Sequence, residues 1–139
     1  MQTDTPTRVS RLAGPLFANL SVAVAASYVA WGNPYHSGFF PGCPFLAVSG
    51  FHCPGCGGLR ATHELLHGNV AGALDMNPVA VLVLIPLMAG GLVWWTAAAA
   101  GLKVPRFRLS TTAALMLPIF LALFWVVRNI PALEPYLAP

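Results

Sequence analysis

Three long apolar runs divide the chain, and nearly all of its reactive side chains lie between the first two. The runs cover 15–32, 78–102 and 111–128. Roughly 17–25 apolar residues in a helix cross the hydrocarbon core of a bilayer, so each run predicts a membrane span. The second is the clearest, PVAVLVLIPLMAGGLVWWTAAAAGL, with Asn77 and Pro78 as a cap and first-turn signal at its start. Pro86 and the pair Gly90–Gly91 predict a kink or a close helix contact there. Pro118 interrupts the third run. The expected fold is an all-α integral membrane protein with three transmembrane helices.

The segment 33–77 breaks this pattern. Its first half, NPYHSGFFPGCPFLAVSGFH, is too rich in Gly and Pro for a continuous helix. Phe39, Phe40, Phe45, Leu46 and Val48 suggest that it lies on the membrane or packs into the bundle. Glycines 50, 55, 57 and 58 predict a turn around CPGCG. GLRATHELLH then reads as a short helix closed by Gly68, with Arg60, His63, Glu64 and His67 on one face. Arg60 and Glu64, one turn apart, are spaced so that they can pair. A further short helical turn is expected within 69–76. These short helices are read as interfacial or re-entrant elements of a Cys/His cap, re-entrant backbone being tolerated where protein surrounds it.

Composition agrees with the spans. Of 139 residues, 57% are hydrophobic and only 8% charged, against about 25% charged in soluble domains. The mean hydropathy is +0.70. One membrane domain, 1–139, is expected, with no separate soluble domain. The net charge of +3 is small and the basic residues are not clustered with exposed aromatics, so no nucleic-acid partner is expected. The basic start and the run VAVAAS fit a cleaved signal peptide loosely, but retention as a span is expected.

Charge placement sets orientation. With the tail 1–14 and the loop 103–110 cytoplasmic, the inner side carries Arg8, Arg11, Lys103, Arg106 and Arg108, and the outer side only Arg60 and Arg128. Positive residues favour the cytoplasm, so the cap and the tail 129–139 are expected outside, in the inner (plasma) membrane. Trp31, Tyr35, Trp94 and Trp95 read as interfacial anchors. Arg128 reads as a side chain snorkelling to the outer headgroups.

All three cysteines and three of the four histidines lie in CPFLAVSGFHCPGCGGLRATHELLH, residues 43–67. The pattern HCPGCGGLRATHELLHGN…DMNP resembles a family of bacterial membrane proteins of unknown function (the domain of unknown function 2752 type), with a C-P-G-C-G-x-x-R-A signature. The matching residues are Cys43, Cys53, Pro54, Gly55, Cys56, Gly57, Arg60, Ala61, His67, Gly68, Ala73, Leu74, Asn77 and Pro78. The resemblance implies a membrane protein and names no reaction.

Four chemistries suit these residues. A disulfide from Cys43 to Cys53 or Cys56 would clasp the cap in an oxidising compartment, worth on the order of 3 kcal/mol. A zinc ion could take Cys43, Cys53 and Cys56 with His63, His67 or His52 as a Cys₃His tetrahedron. Cys53 and Cys56 could act as a redox pair at a helix start, with a membrane quinone as electron acceptor. Finally, HELLH matches H-E-x-x-H, in which His63 and His67 would bind zinc and Glu64 would activate water. That last site needs a third ligand from His36, His52, Asp75 or Glu134. The favoured expectation is a non-catalytic accessory or assembly subunit of a larger membrane complex, a respiratory one being a possible host, with a disulfide- or zinc-clasped cap. A thiol oxidoreductase or a zinc-dependent membrane protease is the alternative.

Overall fold

The structure, a computed structural model, describes residues 8–36, 38, 40–106 and 110–137. Residues 1–7 of the expected tail, Phe39, Arg108 and the side chains of Arg8 and Glu134 lie outside the described part. The elements in chain order are α1 (Arg8–Trp31), α2 (Pro44–Ser49), α3 (Gly58–Leu66), α4 (Val70–Met76), a π-helical turn (Ala80–Leu84), α5 (Ile85–Ala99), α6 (Thr111–Arg128) and α7 (Glu134–Leu137). The protein is all-α, with no strand among the described residues. The stretches Val9–Trp31, Ala80–Ala99 and Thr111–Arg128 are each long and apolar enough to cross a membrane.

Several local expectations meet a different answer. The first helix starts at Arg8 rather than near residue 15, and Pro15 lies inside it. The expected kink in the second span takes the form of the π turn just before Pro86. Proline lacks an N–H and crowds the carbonyl four residues back, and the wider turn absorbs that misfit. Pro118 does not break α6, which is continuous from Thr111 to Arg128.

The Gly90–Gly91 pair faces open space, so it is not the close helix contact. The close approach is at Gly14 instead, where an added Cβ would stand 3.2 Å from the Trp95 ring. One turn on, Asn19 Nδ2 donates to Thr96 Oγ1 at 2.9 Å and to the Pro15 carbonyl at 2.7 Å. Small residues and a polar bridge thus join α1 to α5, as is usual where lipid supplies no hydrophobic drive between helices.

The buried centre lies where the cap helices meet the start of the second span. Ala61 of α3, Ala73 of α4 and Val81 of the π turn meet there, with Leu65, Leu74 and Met76 around them. The α3–α4 connection closes this unit. Gly68 (φ 80°) lets its own N–H reach the Leu65 carbonyl at 3.0 Å and the Asn69 N–H reach Glu64 O at 2.9 Å. This is the paired hydrogen-bond stop that a glycine after a helix permits. Asn69 Oδ1 then caps α4 by accepting from Gly72 N–H at 3.0 Å.

The irregular segment both packs and projects. Phe40 meets Tyr28 edge-on at 5.2 Å and Phe45 meets Trp125 at 5.9 Å, while Val48 is exposed. Helix α6 joins the rest of the molecule mainly at its C-terminal end, through Trp125, Arg128 and Asn129.

Candidate metal centre

The CPGC turn is built from short-range bonds. Cys56 N–H donates to the Cys53 carbonyl at 3.1 Å and Gly58 N–H to the Gly55 carbonyl at 2.9 Å. Gly57 sits at φ 79° and starts α3, a left-handed position that a side chain would strain. Cys53 N–H points at Cys56 Sγ, 3.1 Å away. Cys43 arrives from ten residues upstream as the residue that caps α2.

These two pieces bring the three sulfurs together. Cys53 Sγ lies 2.9 Å from Cys56 Sγ and 3.5 Å from Cys43 Sγ. All three sulfurs fall within 4.8 Å of one another. They are free thiols lining a pocket of about 480 Å³, with Tyr35, His36, His52 and Arg60 also on its walls.

The three thiols differ electrically. Backbone N–H groups at the start of α2, that of Leu46 above all, hold the Cys43 thiol below its ordinary range. Burial, reinforced by hydrogen bonding with Cys53 and Cys43, pushes the Cys56 thiol up to about 12. Thiolates are soft donors that suit zinc and related ions, and a bound cation favours their deprotonation. The donor set therefore fits a thiophilic metal, which Cys43, Cys53 and Cys56 would hold. No histidine or carboxylate joins this ligand group among the described residues, so the expected Cys₃His set with His52, His63 or His67 is not formed.

What fixes the turn is on its opposite side. Its carbonyls point towards Arg128, whose Nη1 donates to Cys53 O at 3.0 Å, Cys56 O at 3.2 Å and Pro54 O at 3.3 Å. Arg128 Nη2 donates to Leu137 O at 2.7 Å, and the guanidinium lies over the Phe124 ring at 5.1 Å. The residue is 0% exposed, so it does not snorkel. Four backbone carbonyls, three in the CPGC turn and one in α7, replace the lipid headgroups expected to solvate it.

Asn77, also 0% exposed, holds the same turn from the second span. Its Nδ2 donates to Pro54 O and Cys56 O, both at 3.0 Å, while Oδ1 accepts from Ala80 N–H at 2.9 Å. The expected cap is present, and the same side chain grips the turn. Asn129 brackets His52, accepting from its N–H at 2.8 Å and donating to its carbonyl at 2.9 Å. Sequence reasoning missed Arg128 and Asn129 as site residues. The one available signal was a charged and an amide residue side by side at the end of an apolar run.

HELLH is differently employed. His63 Nδ1 meets the Val29 carbonyl at 2.8 Å, one of the last carbonyls of α1, which lack partners within their own helix. A carbonyl only accepts, so Nδ1 carries the proton. His67 Nδ1 makes the same bond to the His63 carbonyl at 2.8 Å, with the two rings 4.2 Å apart. Glu64 accepts from Tyr35 OH at 2.7 Å and from Asn69 Nδ2 at 2.6 Å. These donors, Tyr35 first, hold its carboxyl below the usual range. Arg60 sits over the Tyr35 ring at 5.3 Å, and no ion pair joins it to Glu64. His36, His52 and Asp75 do not complete a three-ligand group with the histidine pair among the described residues.

Residues 43–92 match the family model described as Protein of unknown function (DUF2752). The match begins at the first cysteine and runs through the turn, α3, α4 and the π turn into α5. Arg128 and Asn129 lie beyond it. No curated protein and no solved structure matches the chain.

Proposed function

We propose that this chain is a small multi-pass membrane subunit whose cap is clasped by a thiolate-bound metal ion of the zinc class. Its role is structural: it serves the assembly of a larger membrane complex, for which a respiratory complex is one host. The observation that carries the reading is the convergence of Cys43, Cys53 and Cys56 within 4.8 Å. Two chain segments ten residues apart are shaped so that three soft donors meet, and the backbone behind them is held by buried side chains from two spans. A metal bound by both segments would lock the cap, since affinity for the folded site adds to folding stability.

The orientation proposed is cap outward. Arg8, Arg11, Lys103, Arg106 and Arg108 flank the opposite ends of the spans. Because Arg128 is buried within the cap, only Arg60 remains to count on the outer side. Metal analysis of the full chain purified in mild detergent tests the clasp, the expected result being one zinc-class ion per chain, released by a chelator. Mass spectrometry of co-purifying chains tests the assembly role, and a monomer without partners would count against it.

A second reading has its own support in the 2.9 Å contact between Cys53 and Cys56 and the acidified Cys43 thiol. As a redox pair, Cys53 and Cys56 would lose two electrons and two protons on closing a disulfide, and a membrane quinone taking both would leave as quinol. Free-thiol counts separate the readings: reductant restores the thiols of a disulfide, a chelator those of a metal site.

A further inference from the structure

We infer that the three-cysteine centre keeps its fourth coordination position for a small thiol that also carries an acidic group, with Arg60 receiving that group. The inference rests on the metal reading above. Three observations lead to it. First, the protein supplies three sulfurs and, among the described residues, no fourth ligand. Metal sites with three protein ligands hold an exchangeable group in the remaining position.

Second, all three sulfurs line a pocket of about 480 Å³, within the usual range for small-ligand clefts. A ligand therefore has a route to the metal. Third, Arg60 lines the same pocket and, among the described residues, has no carboxylate partner, although Glu64 is one helical turn away. Glu64 is held by Tyr35 OH and Asn69 Nδ2, which leaves the guanidinium over the Tyr35 ring with its N–H fork available.

The chemistry of the two ends selects the ligand. A fourth sulfur completes an all-thiolate tetrahedron, the arrangement soft donors favour. On binding, the ligand's thiol gives its proton to solvent and forms one metal–sulfur bond in place of a water. The centre then carries excess negative charge. An acidic group on the same molecule is tolerated only beside a cation, and a guanidinium binds a carboxylate through paired hydrogen bonds.

Cobalt(II) loaded onto the full chain in detergent supplies the readout, through its sulfur-to-metal absorption bands. Mercaptoacetate is expected to shift those bands at about tenfold lower concentration than 2-mercaptoethanol, the value of one charge-assisted hydrogen bond. Acetate alone is expected to leave them unmoved over the same range. Arg60→Gln is expected to bring the two thiols to equal half-saturation, and Arg60→Lys to keep part of the preference. Equal response to both thiols in the unaltered chain, no shift with either, or loss of the bands would overturn the inference while leaving a metal site standing. If cobalt gives no sulfur bands at all, the metal reading fails and the inference with it.

Discussion

The CPGC turn and the HELLH helix offer the same promise at the level of local spacing, and the fold treats them oppositely. Each places two good metal donors one turn apart, and each needs a third from elsewhere. The turn receives it: Cys43 is delivered to within 3.5 Å of Cys53. The helix does not: among the described residues no third donor lies beside its histidine pair, and a ring whose Nδ1–H bonds a carbonyl still has Nε2 to offer. His63 satisfies the end of α1, His67 bonds the carbonyl of His63, and Glu64 is shared between Tyr35 and Asn69. A motif becomes a site when distant chain supplies the missing donor.

The sharpest way to break this contrast is to remove one donor from each motif. Cys53→Ser is expected to abolish stoichiometric metal binding, whereas His63→Ala should leave metal content unchanged, both read by elemental analysis of the purified chain. The reverse pattern would transfer the site to HELLH. Next in size is Arg128→Met, which removes four hydrogen bonds at a buried position: Cys53 O, Pro54 O and Cys56 O each keep one other donor, and Leu137 O loses the guanidinium. A loss of about 3 kcal/mol or more is expected, as for other broken buried charge networks, seen as a lower thermal midpoint in detergent. Arg128→Lys should recover only part, since an ammonium lacks the guanidinium fork.

Asn77→Ala removes three hydrogen bonds at a fully buried position, with an expected cost of about 2 kcal/mol. A finer test concerns the order in which the metal-free thiols react. The thiolate is the nucleophile, so Cys43, with its lowered pKa, should alkylate at lower pH than Cys56, which stays protonated until about 12. Peptide mapping after alkylation across a pH series reads this directly.

The smallest effect belongs to the other motif. The Glu64 carboxyl is held below its ordinary range by Tyr35 and then Asn69. Its contribution is therefore present above the unfolded carboxyl's pKa and lost as pH falls through the lower folded value. Glu64→Gln should flatten this slight acid dependence of the thermal midpoint without altering metal content.

Much of the architecture could be read along the chain. Bilayer thickness turns an apolar run into a span of known length, so the runs at 78–102 and 111–128 predicted their helices closely. Asn77 before Pro78 and Gly68 after HELLH announced their ends because capping is a local matter of a few backbone groups. The first helix begins earlier than its apolar run because Arg8 and Arg11 add polar turns that hydropathy does not register. The glycine pair misled for a related reason: Gly90–Gly91 permits a close approach without saying which face meets a neighbour, and Gly14 meets it instead.

Residue order alone therefore determined three spans, an irregular cap between the first two, and three cysteines in one segment with donor chemistry. It could not decide that those sulfurs meet, that Arg128 turns inward to hold the backbone behind them, or that His63 braces α1. Each depends on groups some 10 to 75 residues apart finding one another. Local spacing records which donors a short segment carries. Only packing of the spans determines which carbonyls are left to bind them, and a buried guanidinium goes where those carbonyls are.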